Sequence, residues 1–360
     1  MKILHITESL GGGVYTYFKD LGDFITSKTH NKTLENILIY SPNRKELNKQ
    51  KLQKELSLVY TLKVVKMTRE ISPIIDLIAI YKLIKEIKEI KPDIIHLHSS
   101  KAGVLGRIAS ILFPKVKVFY TPHGYAFTRE DISKFKKKLY WNIEKYVTKI
   151  FGGTTIACGD TEYEYALNIG PAVLVRNGVK PITIKNEDKD ELEDREVLIG
   201  TIGRISAQKN PKLFNEIARH FPDIKFIWIG DGELKNSLTS RNITVTGWLD
   251  RREVLKMTNS FTIYLQTSLW EGLPFTILEA MSLGKPIVAT NVIGNKDAVS
   301  NGYNGYLCND CIQFREAINK IIESEDLQNQ FSNNSLVRIN DDFNLESNFK
   351  TLFNIYISHT

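Results

Sequence analysis

Residues 271–281 read Glu-Gly-Leu-Pro-Phe-Thr-Ile-Leu-Glu-Ala-Met, placing the carboxylates of Glu271 and Glu279 on either side of a turn that opens into a helix. Gly272 and Pro274 interrupt the apolar run before them, and proline is pre-set for a first helical position. The amides of Phe275 and Thr276 then have no acceptor within the helix, so the helix start attracts phosphate. Glu271 stands before that seat and Glu279 about two turns beyond it, which suits opposite ends of one elongated ligand. A sugar nucleotide, with sugar, diphosphate and ribose in a row, has that form. Taken alone, the segment also reads as an ordinary amphipathic helix with a capped start.

The same strand–turn–helix grammar runs outward in both directions. Short apolar runs at 3–7, 36–40, 64–67, 93–98, 116–121, 154–158 and 172–175 alternate with longer periodic segments such as 15–26 and 74–90. The pattern resumes at 197–202, 225–230, 244–247, 262–266, 286–290 and 305–307. Such alternation predicts α/β architecture: two tandem, Rossmann-like, doubly wound domains with mainly parallel sheets, facing across a deep cleft at the strand C-terminal ends. Residues 181–195 are charged and lack core periodicity, which predicts a linker between a first domain at 1–180 and a second at 196–341. The 360-residue length is comfortable for two cores.

No apolar run reaches the roughly 18 residues of a membrane span, and the start, Met1 to Ile6, leads directly into a strand pattern. A cytoplasmic location is expected. The three cysteines are too few for a disulfide framework, and Cys308 and Cys311 form an isolated C-x-x-C best read as chance spacing. Net charge is +7 overall, but residues 1–185 hold 30 Lys and Arg against 17 Asp and Glu, leaving 18 against 24 beyond them. The basic half has the balance to meet nucleic acid, an anionic membrane surface or a phosphorylated substrate.

Several positions carry chemistry. A glycine-rich turn at Gly11, Gly12 and Gly13 follows the first strand and permits close approach of a ligand, although a plain tight turn has the same composition. His96 and His98 lie on one side of a strand, where packing or hydrogen bonding is favoured over a metal site. His123 stands between Pro122 and Gly124 at a strand end, placed to hold a sugar hydroxyl or share charge with a departing phosphate. Lys134, Lys136, Lys137 and Lys138 are interleaved with aromatic residues including Trp141, which suits a membrane interface or a core-packed helix with a charged face. Arg204 and Lys209 occupy a strand-to-helix loop where two cations can clamp a diphosphate.

Together these segments resemble the retaining, nucleotide-sugar-dependent glycosyltransferases of family 4, with the GT-B fold. The resemblance rests on Glu271 and Glu279 in E-G-L-P-F-T-I-L-E-A-M, on G-K-P-I-V-A-T at 284–290, and on G-R-I-S-A-Q-K at 203–209. H-S-S-K-A-G at 98–103, H-G at 123–124 and R-N-G-V at 176–179 support it. It implies that Glu271 binds hydroxyls of the transferred sugar and His123 sits by the reaction centre. By the same resemblance Gly272, Leu273, Pro274, Phe275 and Thr276 hold the diphosphate, Arg204 and Lys209 neutralise it, and Glu279 holds the ribose. Gly12 and Gly13 would approach the donor phosphates from the acceptor-binding domain, and no metal or other cofactor would be required. The closing helix of the family crosses back onto the first domain, a role that the apolar spacing of Phe343, Leu345, Phe349, Leu352, Phe353 and Tyr356 within 342–360 fits. Pro274, Asn210 and Arg176 depart from the common pattern.

The expected activity is transfer from a nucleotide-sugar donor, a UDP-sugar first, to a polyprenyl-diphosphate-linked glycan at the inner face of the plasma membrane. Such a reaction belongs to bacterial surface polysaccharide assembly and involves no nucleic acid. A nucleotide-sugar epimerase and a non-catalytic nucleotide-sugar-binding subunit are the alternatives; product formed without an acceptor distinguishes the first, and failure to bind any nucleotide the second.

Overall fold

In the computed structural model the described residues are 1–28, 34–42, 49–182 and 196–359, so most of the expected linker, 183–195, lies outside them. Two units emerge, one of Met1–Asn177 with Glu346–Thr360, the other of Gly178–Leu345.

The first unit is a seven-stranded parallel sheet in the order β3-β2-β1-β4-β5-β6-β7. Its strands are β1 (Lys2–Thr7), β2 (Glu35–Tyr40), β3 (Thr61–Val64), β4 (Ile94–His98), β5 (Lys117–Thr121), β6 (Thr154–Ala157) and β7 (Ala172–Leu174). The intervening helices are α1 (Gly13–Lys28), α2 (Lys49–Leu56), α3 (Pro73–Ile90), α4 (Ser100–Ser110), α5 (Lys134–Phe151) and α6 (Asp160–Leu167). All five residues of β4 are buried with no in–out alternation, the signature of a strand covered on both faces. The edge strands β3 and β7 are only partly buried, as expected where one side faces solvent.

The run expected as a strand at 64–67 proves to be the extension of β3, whose ladder with β2 uses Thr61 to Val64. Val65 and Met67 are nonetheless buried, and Ser41 Oγ donates to the Met67 carbonyl at 2.8 Å. Apolar patterning reported burial there, and sheet pairing had shifted three residues upstream.

The second unit is a six-stranded parallel sheet in the order β10-β9-β8-β11-β12-β13. It comprises β8 (Leu198–Ile202), α7 (Pro211–Arg219), β9 (Lys225–Ile229), β10 (Ile243–Val245), α8 (Arg251–Asn259), β11 (Ile263–Gln266) and α9 (Phe275–Ser282). It continues through β12 (Ile287–Thr290), α10 (Asn295–Ala298), β13 (Gly305–Cys308), α11 (Cys311–Ile322) and α12 (Glu325–Asp341). The last helix, α13 (Leu345–His359), lies in the first unit apart from its first residue. In each sheet the strand order reverses about the first strand, so crevices open outside the strand ends between β1 and β4 and between β8 and β11.

Phe349, Leu352 and Tyr356 of α13 are buried, and their element packs on the first unit through ring contacts of Phe349 with Tyr17 and Phe24 and of Tyr356 with Phe119. Each such apolar side chain contributes roughly 1.5–3 kcal/mol of burial. Where α13 begins, Val179 N donates to the Phe343 carbonyl at 3.0 Å and Leu345 N to the Val179 carbonyl at 3.2 Å. A Cβ on Gly178 would lie 2.8 Å from the Leu345 backbone, which explains the glycine of R-N-G-V.

Candidate active site

The loops that follow β8 and β11 meet because those strands are neighbours. The first supplies Gln208 and Lys209; β11 ends in Gln266, and the loop after it carries Ser268 and Glu271. Leu269 N donates to the Gln208 carbonyl at 2.8 Å and the Thr267 hydroxyl Oγ1 to the Lys209 carbonyl at 2.8 Å, so one backbone and one side-chain bond lace the loops together.

At their centre lies the Glu271 carboxylate, only 8% exposed. Its Oε1 accepts from Lys209 Nζ at 2.7 Å, Ser268 Oγ at 2.7 Å and Gln266 Nε2 at 3.1 Å, while Oε2 accepts from Gln208 Nε2 at 3.2 Å. A carboxylate so enclosed is held in one direction. Glu271 N donates to the Ile293 carbonyl at 3.2 Å, and Gly294 has a φ of 81°. A Cβ on Gly294 would stand 1.9 Å from the Gly272 carbonyl oxygen. Gly294→Ala is therefore expected to cost on the order of 2–4 kcal/mol of stability and to displace Glu271, read by urea unfolding and by turnover. Wild-type values in both would refute that close approach.

Helix α9 begins one residue later than expected: Pro274 is its N-cap (φ −74°, ψ 115°), not its first helical residue. Ile277 N and Leu278 N both bond the Pro274 carbonyl, which leaves the amides of Phe275 and Thr276 without an intrahelical acceptor. Proline has no N–H to lose at this position, so the departure from a second glycine leaves the helix start intact. Leu273 is buried against the unit, and Gly272 is half-buried. Glu279, two turns on, is 3.2 Å from the Arg251 guanidinium of α8. Arg204 reaches Glu233 at 3.1 Å on an exposed surface. The two cations of G-R-I-S-A-Q-K are thus engaged by different carboxylates, Lys209 inside and Arg204 outside.

In the first unit Gly12 has a φ of 53° and Gly13 opens α1, the conformation a glycine turn requires. Four histidines gather in the first unit, His5 within β1, His96 and His98 on β4 and His123 just after β5. His98 Nδ1 lies 3.0 Å from His123 Nε2, and His98 Nε2 lies 3.1 Å from His5 Nδ1. His96 Nδ1 meets the Tyr356 hydroxyl at 2.5 Å and its Nε2 meets Thr121 Oγ1 at 2.8 Å. His5, His96 and His98 each place a nitrogen within 4.8 Å of the others, but both nitrogens of His96 and His98 are already engaged in these bonds. Burial pushes the imidazoles of His5 and His123 down to about 3, and those of His96 and His98 well below the usual histidine range. His123 itself adopts a left-handed φ of 53°, and the next amide, Gly124 N, donates to Glu162 Oε2 at 2.7 Å. Strain of this kind persists only where the surroundings hold it.

On α5, Lys134, Lys136 and Lys138 are exposed, Lys137 pairs with Glu130 at 2.7 Å, and Phe135 stands 77% exposed among them. For Trp141 the packing is that of the core-packed alternative, with the side chain partly buried. It packs inward on Phe127 at 4.9 Å and Tyr165 at 6.2 Å, because position 141 falls on the helix face turned to the core. Cys308 and Cys311 are free thiols that burial pushes up to about 12 and about 11, so both are neutral at pH 7.

Sequence reasoning missed Gln208, Gln266, Ser268, Arg251, Gly294 and His5. Gln208, Gln266 and Ser268 were detectable as polar residues on strand C-terminal loops beside a quoted motif. Arg251 and His5 carried no local signal, since their partners lie across the sheet or on another helix.

Comparison with known proteins agrees with this geometry. The profile described as Glycosyltransferase Family 4 matches residues 11–182 and that described as Glycosyl transferases group 1 matches residues 183–337. The chain belongs to the family 4 glycosyltransferases. It is 31% identical over 325 residues to the UDP-Gal:alpha-D-GlcNAc-diphosphoundecaprenol alpha-1,3-galactosyltransferase of Escherichia coli, covering 82% of each chain. It is 24% identical to the capsular polysaccharide biosynthesis glycosyltransferase CapM of Staphylococcus aureus, over 81% of this chain and 84% of that one. Among solved structures, Anabaena HepE in complex with UDP and glucose superposes with a TM-score of 0.80 at 18% identity, covering 99% of this chain and 100% of that one. The fold is GT-B.

Proposed function

We propose that this glycosyltransferase moves a hexosyl or N-acetylhexosaminyl group from a UDP-sugar to a hydroxyl of a polyprenyl-diphosphate-linked glycan, with retention of anomeric configuration, in bacterial surface polysaccharide assembly. The observation that carries the reading is the Glu271 carboxylate fixed by four donors beside the open amides of Phe275 and Thr276. That arrangement supplies acceptors for sugar hydroxyls and donors for a diphosphate within a few residues. Glu279 beside Arg251 is the ribose end of the same row. The Escherichia coli relative's name supports both the UDP-sugar and the lipid-diphosphate acceptor.

The reading requires no metal: Lys209, Arg204 and the start of α9 are the counter-charges offered to the leaving diphosphate. Among the described residues no helix is long and apolar enough to cross a membrane. The exposed lysines of α5, with Phe135, are the surface proposed to meet anionic lipid.

The test is transfer from UDP-galactose to GlcNAc-diphosphoundecaprenol, with Glu279→Ala as the site control. Expected is product that requires acceptor and resists EDTA, with the KM for donor raised about tenfold in Glu279→Ala. Product from donor alone would favour an epimerase, and an unchanged KM would remove Glu279 from the donor site. Sedimentation with phosphatidylglycerol vesicles, lost when Lys134, Lys136 and Lys138 are changed to Glu, tests the surface.

A further inference from the structure

Three imidazoles, one within β1, one at the end of β4 and one just after β5, form one hydrogen-bonded row, His5–His98–His123, closed at 3.1 Å and 3.0 Å. A row of neutral imidazoles has only two arrangements, since each ring carries one N–H and one lone pair. Either every proton points from His5 towards His123 or every proton points back. The outer nitrogen of His5 decides between them. His5 Nε2 is buried and finds no hydrogen-bond partner among the described residues. Buried donors left without an acceptor are rarer and costlier than acceptors left without a donor, so this nitrogen carries the lone pair.

The proton of His5 therefore sits on Nδ1 and is donated to His98 Nε2. His98 must then carry its own proton on Nδ1 and donate it to His123 Nε2. His123 is left with its proton on Nδ1, the nitrogen that takes no part in the row. The geometry points to His5 and His98 as positioning residues that hold His123 as a neutral imidazole presenting an N–H donor from Nδ1.

The group met by His123 is accordingly an acceptor, a sugar hydroxyl oxygen or a phosphate oxygen, and His123 does not take up the proton of the attacking hydroxyl. That consequence rests on the glycosyltransferase reading, whereas the tautomer itself does not. The surroundings favour the neutral row. Tyr17 of α1 lies edge-on to His123 at 5.1 Å, Phe18 lies 4.7 Å from His98, and Tyr60 lies 6.0 Å from His5. His96 and Tyr356 close the far side, and the nearby carboxylate of Glu162 is spent on the amides of Gly124 and Cys158.

The experiment is a long-range proton–nitrogen NMR spectrum of the full chain labelled with nitrogen-15 histidine at pH 8, where seven histidines give a readable set. Expected is the Nδ1–H tautomer for His5, His98 and His123, assigned by single replacements. The Nε2–H tautomer at His123 would overturn the proposal. His5→Met replaces the first donor by a thioether that only accepts, so His98 should turn its proton to Nε2 and His123 should shift towards the Nε2–H tautomer. In the transfer assay with UDP-galactose, kcat should then fall about 10- to 100-fold with KM nearly unchanged. His5→Gln, whose amide donates from a similar position, should restore a single tautomer and most of kcat. An unaltered Nδ1–H tautomer at His123 in folded His5→Met would overturn the relay. If the tautomers are as stated but no donor is turned over, the relay stands and the proposed function fails.

Discussion

Lys209→Ala is expected to lower kcat/KM for donor by roughly two to three orders of magnitude and to lower stability at the same time. Two physical losses coincide. Among the described residues the ammonium is the only cation bonded to Glu271, and both side chains are largely enclosed, at 16% and 9% exposure. Removing one partner of such a pair leaves a carboxylate desolvated without its counter-charge, ordinarily a cost of about 3–5 kcal/mol. Gln208, Gln266 and Ser268 still donate to that carboxylate, so about 2–3 kcal/mol is the expected loss.

The catalytic loss is separable from the structural one. Lys209→Met with Glu271→Gln removes both charges while keeping side-chain volume and the neutral donors. Stability in urea should recover to within about 1 kcal/mol of the parent, and activity should not recover. Near-parental turnover in Lys209→Ala would sink the assignment of this cluster to the donor site. Recovery of turnover in the double variant would show that Lys209 serves the fold alone.

The second large effect is loss of stability in acid. His5 has an ordinary pKa near 6.5 when unfolded and about 3 when folded, because burial disfavours the imidazolium. Between those values the unfolded chain binds a proton that the folded chain does not. Stability from this group is therefore full above about pH 7 and falls as pH drops through 6.5 towards 3. The slope approaches 1.4 kcal/mol per pH unit, so His5 alone costs about 2 kcal/mol by pH 5. His96 and His98 shift in the same direction and steepen the loss.

Urea midpoints measured at pH 7.5 and pH 5.0 should differ strongly for the parent and less for His5→Phe, which has no proton to gain. Equal differences in both proteins would exclude His5 from the acid response. The contrast with the Lys209 experiment is useful, since the histidine row sits in the first unit and the Glu271 cluster in the second.

Much of the site is legible in the sequence. G-R-I-S-A-Q-K and E-G-L-P-F-T-I-L-E-A-M each carry their own strand end, turn and helix start, so Glu271, Glu279 and the amides of Phe275 and Thr276 could be placed along one element. What each cation pairs with was not legible. Lys209 and Glu271 are 62 positions apart, and His5 and His98 are 93 apart, brought together by adjacency of β8 with β11 and of β1 with β4. The direction of Trp141 was open for a related reason: composition places an aromatic residue on a basic helix, but only packing against Phe127 and Tyr165 fixes which way it faces.

The sequence by itself determined the alternation of buried strands with amphipathic helices, and hence two doubly wound sheets, because burial periodicity is written within each element. It also determined which residue types stand at the strand ends. The tertiary structure alone decided that Lys209 is bonded to Glu271, that Trp141 turns inward and that His5 completes a row with His98 and His123. Those outcomes depend on strand order, and strand order is set by contacts between segments whose separation along the chain no local pattern records.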